Sequence, residues 1–135
     1  LGHLIRHGMS GFADGPLQFT PPAGSTSFQR WFQPAAALPN DTGTPHTGDF
    51  TDAFGNRFRV LAVVNPRVTL KQLWEHYTPP GQDLGDRGLK REGFGMIVMN
   101  HDAGSVRMEC WPWDAAATGA QQYAGWPVTV PYSAL

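Results

Sequence analysis

The sequence has little of what several common functions require. It contains one cysteine, Cys110, and its 10 Lys and Arg against 11 Asp and Glu leave a net charge of −1 at pH 7. A single cysteine excludes an internal disulfide and a zinc site built from several cysteines. Without a basic run or a basic excess, the chain lacks the usual features of nucleic-acid binding. No apolar run approaches the ~20 residues of a membrane-spanning helix, and no G-x-S-x-G or Gly-rich phosphate loop occurs.

Glycine and proline are abundant instead, with 16 Gly and 12 Pro in 135 residues. Because both residues interrupt helical hydrogen bonding, this composition excludes a helical bundle or a coiled coil. The chain is 41% hydrophobic and 12% aromatic, which is more large apolar material than a disordered chain contains. We therefore predict a single β-rich α+β domain with mainly antiparallel strands, long Gly/Pro-rich loops and one or two short helices.

Three segments have clear strand patterns. Residues 57–66 are predicted to form a central strand, with Phe58, Val60, Ala62 and Val64 on one face. Residues 93–113 predict a hairpin that turns at 101–104, and 126–132 predict an edge strand because prolines flank it. The sheet-forming part is thus expected at 57–135.

Residues 1–56 are expected to be active-site-proximal loops. Within them, residues 1–8 predict a short helix or turn that ends at Gly8. Helical spacing also occurs at 25–32 and 69–77. The chain begins with Leu instead of Met and has no signal peptide, so we expect that an upstream segment was removed.

His3 and His7 are the first candidates for chemistry. On a helix, four-residue spacing places both imidazoles on one face, where they could share a metal ion, and Arg6 beside them could bind a phosphate. The alternative is that both histidines are polar surface residues. Asp14 and Asp49 could supply carboxylates, although Asp beside Gly is first of all a turn former.

Aromatic residues and the thiol offer further alternatives. Five tryptophans could form a sugar-stacking platform of a carbohydrate-binding or ligand-binding module, or they could simply form a packed core. These are Trp31, Trp74, Trp111, Trp113 and Trp126. A structural interaction domain is a third alternative for the chain.

Cys110 lies on the same side of its strand as Val106 and Met108, which predicts a buried, unreactive thiol.

Six short motifs follow one another along the chain. They are LGHLIRHG at 1–8, FADGP at 12–16, RWFQP at 30–34, TGDF with DAFGN at 47–56, ECWP at 109–112 and YAGWPV at 123–128. In this order they resemble the C-terminal portion of PhoD-like metallophosphatases, which are relatives of the calcineurin-like metallophosphoesterases. The segment from 47 to 66 is the most specific part of the resemblance.

The resemblance implies hydrolysis of phosphomonoesters or phosphodiesters at a two-metal centre. It implies that most ligands of the divalent metal ions come from an upstream catalytic domain or companion fragment, so that this chain alone is inactive. For this chain it implies a metal ligand at His3, catalytic roles for His7 and Asp14, and substrate binding by Arg6. The Gly-His-x-His ligand pair of the wider superfamily is not matched, because its second His falls at Ile5. Family members are usually exported.

Overall fold

The computed structural model describes residues 2–24, 34–64 and 92–135 of the chain. In these ranges the chain forms two antiparallel β-sheets, one α-helical turn and one 3₁₀ turn. The predicted β-rich α+β fold class is therefore confirmed. None of the helices in the described ranges has the length and apolarity of a transmembrane span.

The first sheet has four strands in the order β2-β1-β4-β3. The strands are β1 (His3–His7), β2 (Leu17–Thr20), β3 (Gly48–Thr51) and β4 (Arg57–Val63). As predicted, β4 is a central strand. Three of the four strands, however, lie within residues 1–56, where the sequence predicted loops.

The prediction of a helix or turn at residues 1–8 is wrong, because this segment is the second central strand, β1. Its residues pair with β2 on one side and with β4 on the other, as His3 does with Thr20 and Val63. Two ladders satisfy the backbone polar groups of this short segment. A helix of the same length would have left most of its N–H and C=O groups without intrahelical partners.

A register shift in β4 changes the predicted division of its faces. Leu4 pairs with Ala62 but Ile5 pairs with Val60, so Leu61 is an extra residue on β4. Such a bulge reverses the alternation of side chains beyond it. Val60 and Val63 therefore lie on one face and Ala62 on the other, whereas strict alternation had placed Val60 and Ala62 together.

The second sheet has three strands in the order β5-β6-β7. They are β5 (Gly93–Asn100), β6 (Ser105–Pro112) and β7 (Val128–Pro131), and both the hairpin and the final edge strand are confirmed. Between β6 and β7 lies a single helical turn, α1 (Ala115–Thr118), and a 3₁₀ turn (Tyr132–Ala134) follows β7. The helices expected at 25–32 and 69–77 fall outside the described residues.

The two sheets share one hydrophobic core. Its fully or nearly buried members come from both sheets and from the segment before β7: Leu4, Ala62, Val64, Val106, Met108, Cys110, Trp126 and Val130. Gly95 on β5 lets the sheets approach, because a Cβ there would lie 2.5 Å from Pro21 Cβ and 2.7 Å from Phe19. Cys110 is completely buried and burial raises the pKa of its thiol to about 12, as expected for an unreactive cysteine.

Candidate functional site

The candidate residues of the N-terminal segment lie on β1 and on the loop that follows it. Because side chains of a strand alternate between faces, His3 and His7 lie on one face of the first sheet and Arg6 on the other. The loop from Gly8 to Pro16 contains Asp14 and returns the chain to β2. The structure therefore places all four candidates in one region, although it separates Arg6 from the two histidines.

His3 and His7 are connected through two side chains of β2. His7 Nε2 lies 2.8 Å from Gln18 Oε1, and Gln18 Nε2 donates to Thr20 Oγ1 at 3.2 Å. Thr20 Oγ1 in turn lies 3.3 Å from His3 Nε2. We call these four residues the polar row. The Thr20 hydroxyl accepts from Gln18 and keeps its own proton to donate, so this contact fits a His3 whose Nε2 is unprotonated.

The strand geometry corrects the metal site that was expected from helical spacing. Four residues of helix would have placed the two histidines one turn apart, whereas four residues of strand separate their Cα atoms by about 13 Å. Two side chains of the polar row occupy the space between them. Among residues 2–24, 34–64 and 92–135, no three His, Cys, Asp or Glu side chains form a group that could hold a metal ion.

His3 is neutral at physiological pH. It is 7% exposed, and burial lowers the pKa of its imidazole to about 4. A neutral imidazole has one unprotonated nitrogen, which can accept a hydrogen bond from the Thr20 hydroxyl. In this structure His3 thus contributes a partly buried hydrogen bond to the β1–β2 pair. Its role as a metal ligand stays a prediction.

Arg6 connects three parts of the chain. Its Nη1 donates to the Gly15 carbonyl at 3.0 Å, and its Nη2 donates to the Ala134 carbonyl. The guanidinium therefore joins β1 to the loop from Gly8 to Pro16 and to the C-terminal 3₁₀ turn. Phosphate binding by Arg6 stays a prediction, and the hydrogen bonds that the structure shows are to the protein backbone.

Asp14 organises the loop that contains it. Its carboxylate accepts hydrogen bonds from the backbone N–H groups of Met9 at 2.7 Å, Ser10 at 2.9 Å and Gly11 at 2.9 Å. The Ser10 hydroxyl also donates to it. These donors, the Ser10 hydroxyl above all, hold the pKa of the Asp14 carboxyl well below its usual range. Asp14 is therefore an ionised carboxylate that closes the loop, as the turn-former alternative expected, and its catalytic role stays a prediction.

The loop is also attached to the sheet through its backbone. Gly15 N–H donates to the His7 carbonyl at 2.8 Å, and Gly8 N–H donates to the Arg57 carbonyl at 2.7 Å. Gly8 is required here, because a Cβ would lie 2.1 Å from the Gly11 carbonyl oxygen. The loop at the end of β1 is therefore held against the sheet by backbone hydrogen bonds at both of its ends.

Sequence reasoning missed one charged pair beside this region. Asp49 on β3 is opposite Arg59 on β4, and Arg59 Nε donates to Asp49 Oδ1 at 2.6 Å. Asn40 also donates to Asp49, at 2.7 Å. Hydrogen bonding from Arg59 lowers the pKa of the Asp49 carboxyl. Only the β3–β4 register brings Asp49 and Arg59 together, and a ten-residue separation in the sequence offers no local signal for it.

The described tryptophans have different environments. Trp126 is buried in the core, and Trp111 donates from Nε1 to Glu109 Oε2 at 2.8 Å. Trp113 is 50% exposed. Trp31 and Trp74 lie outside the described residues. A shared platform of all five tryptophans is thus incompatible with the buried position of Trp126.

Comparisons with protein-family models, with curated proteins and with solved structures find no match to this chain.

Proposed function

We propose that this chain is the C-terminal part of a metal-dependent phosphoester hydrolase of the PhoD-like type, which functions together with an upstream metal-binding domain. The observation behind the proposal is the ordered series of six motifs between residues 1 and 128. Five of them include described residues that belong to strands or to the turns between strands. The FADGP motif, for example, forms the second half of the loop that Asp14 closes.

Residues on the described part of the chain would position this loop. Arg6 joins the loop to the C-terminal turn, and the Asp14 carboxylate fixes its three backbone amides. A rigid loop at the end of a central strand is a suitable element for the wall of an active site. His7, the last residue of β1 and one end of the polar row, would lie next to this wall.

Divalent metal ions would supply an activated water and would neutralise the charge of the phosphoryl group. The described residues do not form a metal-binding group by themselves. In this proposal the ligands therefore come mostly from the upstream domain, with His3 as the candidate contribution from this chain.

An activity assay tests the proposal. The 135-residue chain alone, with p-nitrophenyl phosphate or its diester and Mn²⁺, Ca²⁺ or Zn²⁺, should show no turnover. The same chain joined to the upstream domain should hydrolyse one of these esters, and Asp14→Ala should reduce that activity because the loop loses its carboxylate. Asp102→Ala, at an exposed aspartate in the β5–β6 turn outside the six motifs, is the matched control. Robust turnover by the isolated chain that is lost on substitution of His3 and His7 would contradict the proposal.

A small aromatic ligand-binding module is the second candidate. Phe94 is 40% exposed and lies opposite Trp111 in the β5–β6 register, and Trp113 is half exposed nearby in sequence. Such rings can stack on a sugar. A change in tryptophan fluorescence with oligosaccharides but not with inorganic phosphate, removed by Trp113→Ala, would favour this module over the hydrolase.

A further inference from the structure

Strand β5 forms an unusual edge of the second sheet. It pairs with β6 on one side only, and within the described residues no strand lies on its other side. Its eight residues, GFGMIVMN, include no charge and no proline. Proteins normally protect edge strands of this length with charged residues, prolines or bulges. The nearest acidic side chains before and after β5 are Glu92 and Asp102, and both lie outside the strand.

The large apolar side chains of β5 are exposed on both of its faces. The exposed fractions are 40% for Phe94, 46% for Met96, 57% for Ile97 and 64% for Met99. Ile97 and Met99 lie on the face that bears Met108 and Val106, whereas Met96 lies on the face of Glu109. Neither face of the strand is therefore covered along its length, and apolar surface of this kind marks interaction sites.

Hydrogen-bond geometry identifies the backbone groups at this edge. Gly93 N–H points away from β6, because it donates to the Ala23 carbonyl at 3.0 Å. Gly93 is also opposite Pro112, which has no N–H to offer. Because amide groups alternate along a strand, those of Gly95, Ile97 and Met99 point away from β6 as well. No hydrogen-bond partner for their outward groups is seen in the described parts of the chain.

We propose that β5 pairs with β5 of a second copy of this chain in an antiparallel dimer whose two-fold axis passes by Ile97. In this register Ile97 is opposite the partner's Ile97, and Gly95 is opposite the partner's Met99. All three outward-pointing residues then form hydrogen-bonded pairs, which no shifted register of the same strand achieves. The two sheets of three strands become one continuous sheet of six.

The side chains suit this pairing. Met96 is opposite the partner's Val98 on one face. On the other face the partner's Met99 is opposite Gly95, where it meets the apolar side chains of Phe19 and Pro21 that cover this glycine. No charged side chain is placed opposite another within the paired strands. The paired segment is one strand wide and about 20 Å long, so it buries less surface than the roughly 1,200–2,000 Å² that is typical of stable complexes. The dimer should therefore be weak and should be populated only as the protein concentration rises.

Sedimentation velocity of the 135-residue chain from low to several hundred micromolar tests this dimer. The mass should rise from 14.8 kDa towards twice that value. Ile97→Pro should raise the dimer dissociation constant at least tenfold, because it removes the N–H that points to the partner and leaves the β5–β6 bonds intact. Ile97→Lys provides a second variant with an unchanged backbone, and Phe54→Ser is the control at a distant exposed position. Circular dichroism verifies that each variant folds.

A cross-linking experiment tests the register. In a hydrogen-bonded antiparallel pair the Cα atoms are about 5.5 Å apart, within the range that a disulfide bridges. Ile97→Cys should therefore form a covalent dimer on mild oxidation, whereas Phe54→Cys at the same concentration should not. The buried thiol of Cys110 does not compete.

Three results would overturn the proposal. The first is a chain that stays monomeric at every concentration tested. The second is a dimer that both Ile97→Pro and Ile97→Lys leave intact. The third is equal cross-linking of the Ile97→Cys and Phe54→Cys variants.

Discussion

Lowering the pH from about 7.5 to 5 should weaken the fold through one residue, His3. Burial lowers the pKa of its imidazole from 6.5 to about 4 in the folded chain. At pH values between these two pKa values, His3 binds a proton in the unfolded state but not in the folded state. The free energy of unfolding therefore falls as the pH falls through this range.

The size of the effect follows from the two pKa values. Their difference corresponds to about 3 kcal/mol once both states are protonated, and about 2 kcal/mol of this is lost by about pH 5. Asp14, Asp49 and Asp52 all have pKa values lowered from 3.8, so most of their contribution is lost at more acidic pH. The loss above about pH 5 is therefore attributable mainly to histidine.

Urea unfolding, followed by tryptophan fluorescence at half-unit pH intervals, measures this loss. His3→Gln keeps a hydrogen-bonding group near Thr20 but does not titrate, so its unfolding free energy should be nearly independent of pH above about 5. His101→Gln, at an exposed position, should behave as the wild type does. Parallel pH profiles for the wild type and His3→Gln would refute the assignment of a buried neutral imidazole.

Other perturbations test the core, the thiol and the loop. Leu4→Ala, at a fully buried position, should lower the free energy of unfolding by about 2–5 kcal/mol in chemical denaturation, and a loss below about 1 kcal/mol would contradict the shared core. Cys110 should react with a thiol reagent only after denaturation, so rapid labelling of the native chain would disprove its burial. Asp14→Ala should make residues 8–16 a preferred site of limited proteolysis, because three backbone amides of the loop lose their hydrogen-bond acceptor. Phe54→Ser is the control, and its loop at 8–16 should stay as resistant as that of the wild type.

Local patterns predicted the second sheet well. The β5–β6 hairpin joins neighbouring segments through a four-residue turn, so its alternation and its turn residues are both contained in one stretch of sequence. The edge position of β7 followed from its flanking prolines, which cannot donate to a further strand. Such features depend on contacts between residues that are close along the chain.

The first sheet depended on contacts that the sequence does not display. β1 pairs with β4 more than 50 residues away, and this pairing makes a strand of a segment whose apolar spacing suggested a helix. The same change separates His3 from His7 and moves Arg6 to the opposite face. The sequence was thus sufficient to select the candidate residues, but it did not predict how they are arranged in space.

The sequence by itself determined the β-rich class, the strand at 57–63, the hairpin and the burial of Cys110, because composition, alternation and turn chemistry are local properties. The tertiary structure alone decided that Arg6 joins three segments, that Asp14 closes a loop and that Asp49 pairs with Arg59. Each of these depends on which backbone groups and side chains the folded chain brings within hydrogen-bonding distance. It also decided which edge strand of the second sheet is left with exposed apolar side chains, because that exposure depends on how the two sheets are placed against each other.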